Sequence, residues 1–429
     1  MLLQHLAFVV LLVGTEAFFT ALDVLNLRHG ERTVADRAEW VEEVLGVADT
    51  ATMIDYNRAS TGLGRLQSVV SLGFVLVVLY SGLFADAVAF VRSLGLPGLL
   101  EGATFLVGAV VVLQAVAWPF DVVNTFVVEE IFGFNEQSPR LWVRDALLQV
   151  VISAVLVGVA AVALLWVVGR FPDLWAAGGA VLFLGFSLVM QVVYPRVIAP
   201  LFNDFDPIES GDLREAVEDV FDRAGFTCEQ VYEMDASRRS SHSNAYFIGF
   251  GRTKRVVLFD TLVEQMALEE VESVLAHELA HWKRNHVWKL LATGTVQVGV
   301  VLAVAQVLMS TGWLYGMFGV PRTTYAGLAL ALLWVLPLNQ LTAPLTNRLS
   351  LAYEREADSF AVDVMGEDEA LTGALANLVS ENLSNPFPHP WYATFHYTHP
   401  PVPDRIRYIE ELAGSGSGDG GDEAAAAAD

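Results

Sequence analysis

Seven long apolar runs punctuate this chain of 429 residues, at about 3–25, 68–91, 101–120, 146–169, 174–197, 290–316 and 324–346. Each is close to the ~20 residues an α-helix needs to cross a bilayer core. They predict a mainly α, polytopic membrane protein with seven transmembrane helices. Polar stretches separate them: a loop at 26–67, another at 121–145, a large insertion at 198–289 and a C-terminal region at 347–412. Inside the insertion the period changes. Residues 213–224 read as an amphipathic helix. Runs at 245–250 and 255–259 read as strands joined through 251–254, which predicts a hairpin. Between 268 and 288, Val271, Val274, Leu275 and Leu279 recur at helical spacing. That helix is expected to continue into the sixth span. Residues 351–364 carry a further helical pattern, and the Gly/Ser/Asp/Ala-rich tail at 413–429 predicts disorder.

The organisation that follows has spans one to five and their loops in 1–197, and a catalytic-type insertion in 198–289. Spans six and seven fill 290–346. A second soluble part occupies 347–412, ahead of the acidic tail. No Lys or Arg precedes the first span, whereas Arg28, Arg32 and Arg37 follow it. This predicts an uncleaved anchor with its N-terminus outside. The segments after spans one, three, five and seven, with Arg196 at the end of span five, hold 22 of the 25 Lys and Arg. With the long insertion set aside the bias is still 11 to 3. The positive-inside rule therefore puts the insertion and the C-terminus on the cytoplasmic side of the cell membrane.

Charge alters the picture in one respect. The net charge is −24, with only three Lys, at 254, 283 and 289. So acidic a surface argues against nucleic acid or an anionic membrane surface as a partner, and suits solubility at high salt, as in a haloarchaeon. Cys228 stands alone, which excludes an internal disulfide.

The candidate chemistry sits at the end of the insertion, where His277-Glu278-Leu279-Ala280-His281 reads H-E-x-x-H. On a helix, positions i and i+4 share one face, so two imidazoles can meet one tetrahedral Zn²⁺. Glu278 flanks that metal without ligating it, placed as a general base for metal-assisted peptide hydrolysis. The alternative is two surface histidines on an amphipathic helix.

A catalytic zinc needs three protein ligands and an open position. Glu354, in Tyr353-Glu354-Arg355-Glu356-Ala357-Asp358, is the candidate third ligand. Asp358 shares its helical face and is placed to accept the outer N–H of a ligand histidine. The alternative is a charged, solvated helix face, which is the reading for Glu356. On a continuous helix His286 lies about 140° around from His281 and stays outside the metal set. His399 sits at a Pro-bounded turn, 395–401, and is a candidate for oxyanion stabilisation. His242 and Asn244 precede the hairpin, whose edge strand can align a peptide backbone by strand addition.

These blocks together resemble the type I CAAX prenyl proteases, the Ste24 group of the M48 metallopeptidases. The resemblance rests on 125–135 (TFVVEEIFGFN), 194–203 (YPRVIAPLFN), 241–249 (SHSNAYFIG), 254–262 (KRVVLFDTL), 277–286 (HELAHWKRNH), 353–360 (YEREADSF) and 395–405 (FHYTHPPVPDR). It runs from the first span to about residue 412. It implies seven tilted helices forming a barrel around a water-filled intramembrane chamber, capped by a cytoplasmic zincin-like domain with a small β-sheet. It also implies one Zn²⁺ on His277, His281 and Glu354, with Glu278 as general base. Asp358 would support a ligand histidine, and His399 and Arg405 would lie beside the site. Asn244, Ala245 and Tyr246 would form the strand that aligns substrate.

The implied partners are the lipid bilayer and a peptide or protein substrate, possibly C-terminally prenylated. Another reading is membrane-protein quality control of the HtpX type, with no prenyl requirement. A non-enzymatic seven-span protein, such as a retinal binder, is disfavoured because it needs a membrane-embedded Lys, and none of the three lies within a span.

Overall fold

The computed structural model describes residues 1–226, 230–248 and 255–416. Cys228, the hairpin turn at 251–254 and the tail beyond 416 lie outside the described residues. Among the described residues, six helices are long and apolar enough to cross a membrane: Leu2–Asp36, Thr50–Tyr80, Gly98–Glu129, Pro139–Arg170, Trp175–Leu201 and His286–Ser310. A seventh span comes from Thr324–Gln340, followed after a 50° bend by Ala343–Met365. The chain is thus a mainly helical, multi-pass membrane protein.

Several of these helices outrun their apolar windows. The second begins at Thr50, well before the apolar run at 68, because the Asp49 carboxylate caps it by accepting from Ala51 N and Thr52 N, both at 3.1 Å. The same run does not continue to 91. It stops at Tyr80, where Gly82 adopts φ 94°, and Leu83–Ser93 forms a separate helix. Nor is 26–67 a polar loop. The first helix extends to Asp36, Ala38–Leu45 follows, and Val34, Val41, Leu45 and Met53 are buried in the soluble core.

Each span packs on the next, and the seventh returns to touch the first, so the seven close a ring. The ring is hollow at its waist. Only 6% to 33% of each apolar window is buried, whereas a solid bundle would bury one face of every helix. The buried positions gather at the ends. Thr50–Tyr80 buries Met53 and Leu79, Pro139–Arg170 buries Ala161, Leu165 and Val167, and Trp175–Val193 buries Trp175, Ala176 and Gly179. Those near the end remote from the soluble region join one core with Phe8, Phe84, Phe105 and Tyr325. Polar side chains pair between spans, as in Gln114 Nε2 to Ser153 Oγ and Gln297 Nε2 to Asn339 Oδ1, both at 2.9 Å.

A second core closes the other end. A four-stranded sheet, β1 (Phe205–Pro207), β2 (Val231–Met234), β3 (Ala245–Ile248) and β4 (Arg255–Phe259), has the order β1-β2-β4-β3. The β2–β4 pair is parallel and the other two are antiparallel. Alternation sets its faces: Val256 and Leu258 enter the main core, and Val257 turns to a small cluster with Met234. Strand β3 is an edge, paired only to β4 within the sheet. Two membrane ends are tied to this sheet. Arg255 Nη1 donates to Pro195 O at 3.2 Å, and His242 Nε2 lies 3.3 Å from Glu129 Oε2.

Candidate metal centre

Helix Leu268–Lys283 carries the H-E-x-x-H segment. Val271, Leu275 and Leu279 form its apolar stripe and are almost wholly buried. Glu270 returns to its start, accepting from Ala267 N at 2.9 Å. Helix Ala343–Met365 packs against it. Fully buried alanines line both, Ala276 and Ala280 on one and Ala357 and Ala361 on the other. Small residues allow close axes, so that His277, His281 and Glu354 span the gap.

Those three converge. His277 Nε2 is 3.4 Å from His281 Nε2 and 3.3 Å from Glu354 Oε2, and His281 Nε2 is 3.4 Å from Glu354 Oε1. Zinc bonds of about 2.05 Å at tetrahedral angles separate ligand atoms by about 3.3 Å. Glu354 Oε2 is buried without a hydrogen-bond partner. The donor set, its spacing and this orphaned oxygen all fit one small divalent cation.

The outer nitrogen of His277 is held as well. Its Nδ1 lies 2.9 Å from Asp358 Oδ1, and Asp358 accepts two bonds from Arg405, at 2.5 Å from Nη2 and 3.0 Å from Nε. Burial lowers the His277 pKa, but the Asp358 and Glu354 carboxylates beside the ring outweigh it and hold the group at about 9. Burial and the neighbouring His277 push His281 down to about 4. Burial raises the Glu278 carboxyl above its ordinary range, His277 partly opposes this, and Glu354 reinforces it. That makes the Glu278 carboxylate a stronger base, as a group that takes a proton from water needs.

His399 approaches from the other side. Its Nε2 is 3.4 Å from Glu354 Oε1 and its Nδ1 is 3.1 Å from Thr398 Oγ1. The side chain is 59% exposed, so it can turn toward a bound peptide. The preceding segment is anchored on the first span by Phe395 against Phe18 and Phe19 and by His396 against Phe19. Asn244 is exposed at the start of β3, Ala245 is buried and Tyr246 half-buried. The His242 ring is already engaged: Asn382 Oδ1 lies 2.7 Å from Nδ1, Glu129 lies beyond Nε2, and Phe134 stacks at 4.3 Å.

Helical-wheel reasoning misplaced one residue. The motif helix does not run into the sixth span; it stops at Lys283, Asn285 takes φ 59°, and a new helix begins at His286. This break resets the phase and returns the His286 ring to His281, with Nδ1 3.1 Å from Nδ1. Glu356, read as solvated, lies 3.1 Å from His286 Nε2. A helix-stopping Arg-Asn pair before the next apolar run was the available signal.

Comparison with known proteins agrees with the geometry. The model of Peptidase family M48 matches residues 207–413. That of the CAAX prenyl protease N-terminal region, five membrane helices, matches residues 26–204. The CAAX prenyl protease 1 homolog of Oryza sativa subsp. japonica is 36% identical over 327 residues, covering 73% of this chain and 74% of the relative. CAAX prenyl protease 1 of Saccharomyces cerevisiae is 30% identical over 314 residues, covering 69% of each. The crystal structure of S. mikatae Ste24p superposes with a TM-score of 0.85 at 25% identity, over 94% of this chain and 98% of that one. With its hollow ring, its buried two-histidine, one-glutamate cluster and these relatives, the chain belongs to the M48 metallopeptidases, in the CAAX prenyl protease 1 family of membrane proteases.

Proposed function

We propose that this protein is a zinc endopeptidase that cleaves peptides entering from the membrane ring, with His277, His281 and Glu354 holding one Zn²⁺. The observation that carries this is the set of three near-equal separations, 3.3 to 3.4 Å, among their ligand atoms. When bound, the ion supplies Lewis acidity toward water and toward the scissile carbonyl. Glu278 takes the proton of the attacking water and returns it to the leaving amine. His399, exposed beside the site, donates toward the carbonyl oxygen as it gains charge. Asp358, clamped by Arg405, keeps the His277 ring in one tautomer. The free edge of β3, at Asn244, Ala245 and Tyr246, pairs with an extended substrate segment. His242 supports this strand from behind through Glu129 rather than by reaching the peptide.

The domain boundaries we assign are the ring at 1–197 with 290–346, and the catalytic cap at 198–289 with 347–412. The excess of Lys and Arg on one side supports a cap and C-terminus in the cytoplasm and an N-terminus outside. The substrate class follows the relatives' name: a peptide whose C-terminus is a prenylated cysteine followed by three residues. Glu278→Gln tests the chemistry. It should cut turnover by ~10²–10⁴-fold while leaving zinc content unchanged. Loss of zinc in that variant would remove Glu278 from the role of base. Offering the wild type a farnesylated peptide and its unlipidated twin tests the substrate. Equal kcat/KM for the two would replace the prenyl requirement with general membrane-protein clearance.

A further inference from the structure

His281 has two ring nitrogens, and the convergence described above uses only Nε2. The other, Nδ1, faces His286 Nδ1 at 3.1 Å. Two lone pairs do not approach so closely without a proton between them. A histidine that ligates through Nε2 in its neutral form carries its proton on Nδ1. His281 Nδ1–H is therefore the donor and His286 Nδ1 the acceptor. That leaves the proton of a neutral His286 on Nε2, which lies 3.1 Å from Glu356 Oε2. Every hydrogen bond along the path has one donor and one acceptor, and the proton positions are assigned from this network.

The middle residue is built in. His286 is wholly buried, at 0% exposure. Its ring stacks on Tyr353 at 4.3 Å and 14°, and the Lys289 ammonium sits 5.0 Å above the far ring. A buried polar ring in a hydrocarbon-like setting is costly unless both nitrogens are satisfied. Here one partner is a candidate metal ligand and the other a carboxylate that reaches solvent.

We propose that His286 and Glu356 are positioning residues: with His281 they form an imidazole–imidazole–carboxylate relay that fixes the tautomer and orientation of the second metal ligand. The relay mirrors the Asp358–Arg405 clamp on His277, so both imidazoles are held from outside. It explains why the chain breaks its helix at Asn285, since an unbroken helix would carry His286 away. The inference rests on the zinc-site reading above.

The test measures zinc affinity of the full-length chain in detergent micelles, by competition with a chromophoric chelator, for wild type, His286→Phe, His286→Gln and Glu356→Ala. Phe keeps a flat ring on Tyr353 but cannot accept a hydrogen bond. Gln offers one acceptor and one donor. We expect His286→Phe to weaken zinc binding by ~10–100-fold and His286→Gln to recover most of that loss. Glu356→Ala should weaken it by a smaller factor. Unchanged affinity in His286→Phe overturns the relay, and so do equal losses in Phe and Gln, which is the pattern of packing alone. If His286→Phe does not fold, judged by near-ultraviolet circular dichroism of the apo form, Glu356→Ala decides. Its residue is 46% exposed, and unchanged affinity there overturns the relay. A wild type that binds no zinc defeats the parent reading instead.

Discussion

The waist of the ring and the catalytic cap are made from the same kinds of helix, yet they are packed in opposite ways. In the waist, apolar side chains such as Val151, Val155 and Val159 are 58% to 62% exposed, and polar pairs such as Gln114 with Ser153 and Gln297 with Asn339 bridge neighbouring spans. In the cap, Leu275, Leu279, Ala357 and Ala361 are fully buried. The same cap buries His277, His286, Glu354, Asp358 and Arg405 and gives each a partner on another residue. The difference teaches where the fold spends its rigidity. Catalytic side chains need placement within a fraction of an ångström, and only a packed core supplies it. A passage for peptide needs space, so the waist is left open and the two ends are sealed.

The largest effect expected from breaking this contrast is in the cap core. Leu275→Ala should destabilise the protein by ~2–5 kcal/mol, read from chemical denaturation in micelles. A loss below ~0.5 kcal/mol would show that the cap is not the rigid half. Next comes the polar clamp: Asp358→Asn should lower zinc affinity by ~10–100-fold while the fold persists. Zinc binding as tight as the wild type's would detach Asp358 from the site. In the waist, Val155→Ala should change stability by no more than ~0.5 kcal/mol. A cost like that of Leu275→Ala would mean the waist is packed after all.

The smallest effect concerns the tie between ring and cap. The hydrogen bond to Glu129 raises the His242 pKa above 6.5, burial opposes it, and Asn382 adds to it. A raised folded value means that the tie contributes fully below pH ~6.5 and fades as pH climbs through the folded pKa. The melting-temperature gap between wild type and His242→Gln should therefore narrow on going from pH 6 to pH 9. A gap that widens would reverse the sign of the coupling.

What the sequence disclosed follows the range of the interactions. The two histidines one turn apart are a local pattern, as are the seven apolar windows. Glu354 was legible as a candidate carboxylate on a helical face. Its approach to the two imidazoles was not, because it depends on the alanine-lined contact between helices 73 residues apart in sequence. His286 lies outside the metal set as read, but its approach to His281 was not legible, because one left-handed residue, Asn285, breaks the helical phase on which the angle was reckoned. The split of the second apolar run at Gly82 escaped for the same kind of reason. The hollow waist was implied by family resemblance alone: apolar windows report helix length, and say nothing about which faces meet.

The account depends on three side chains sharing one ion, and zinc stoichiometry tests that most directly. Wild type and Glu354→Ala, purified alike and dialysed against a weak chelator, should be assayed for zinc per chain by mass spectrometry. We predict about one zinc per wild-type chain and near none in Glu354→Ala, with the helical circular dichroism unchanged. A full complement of zinc in Glu354→Ala would contradict the assignment.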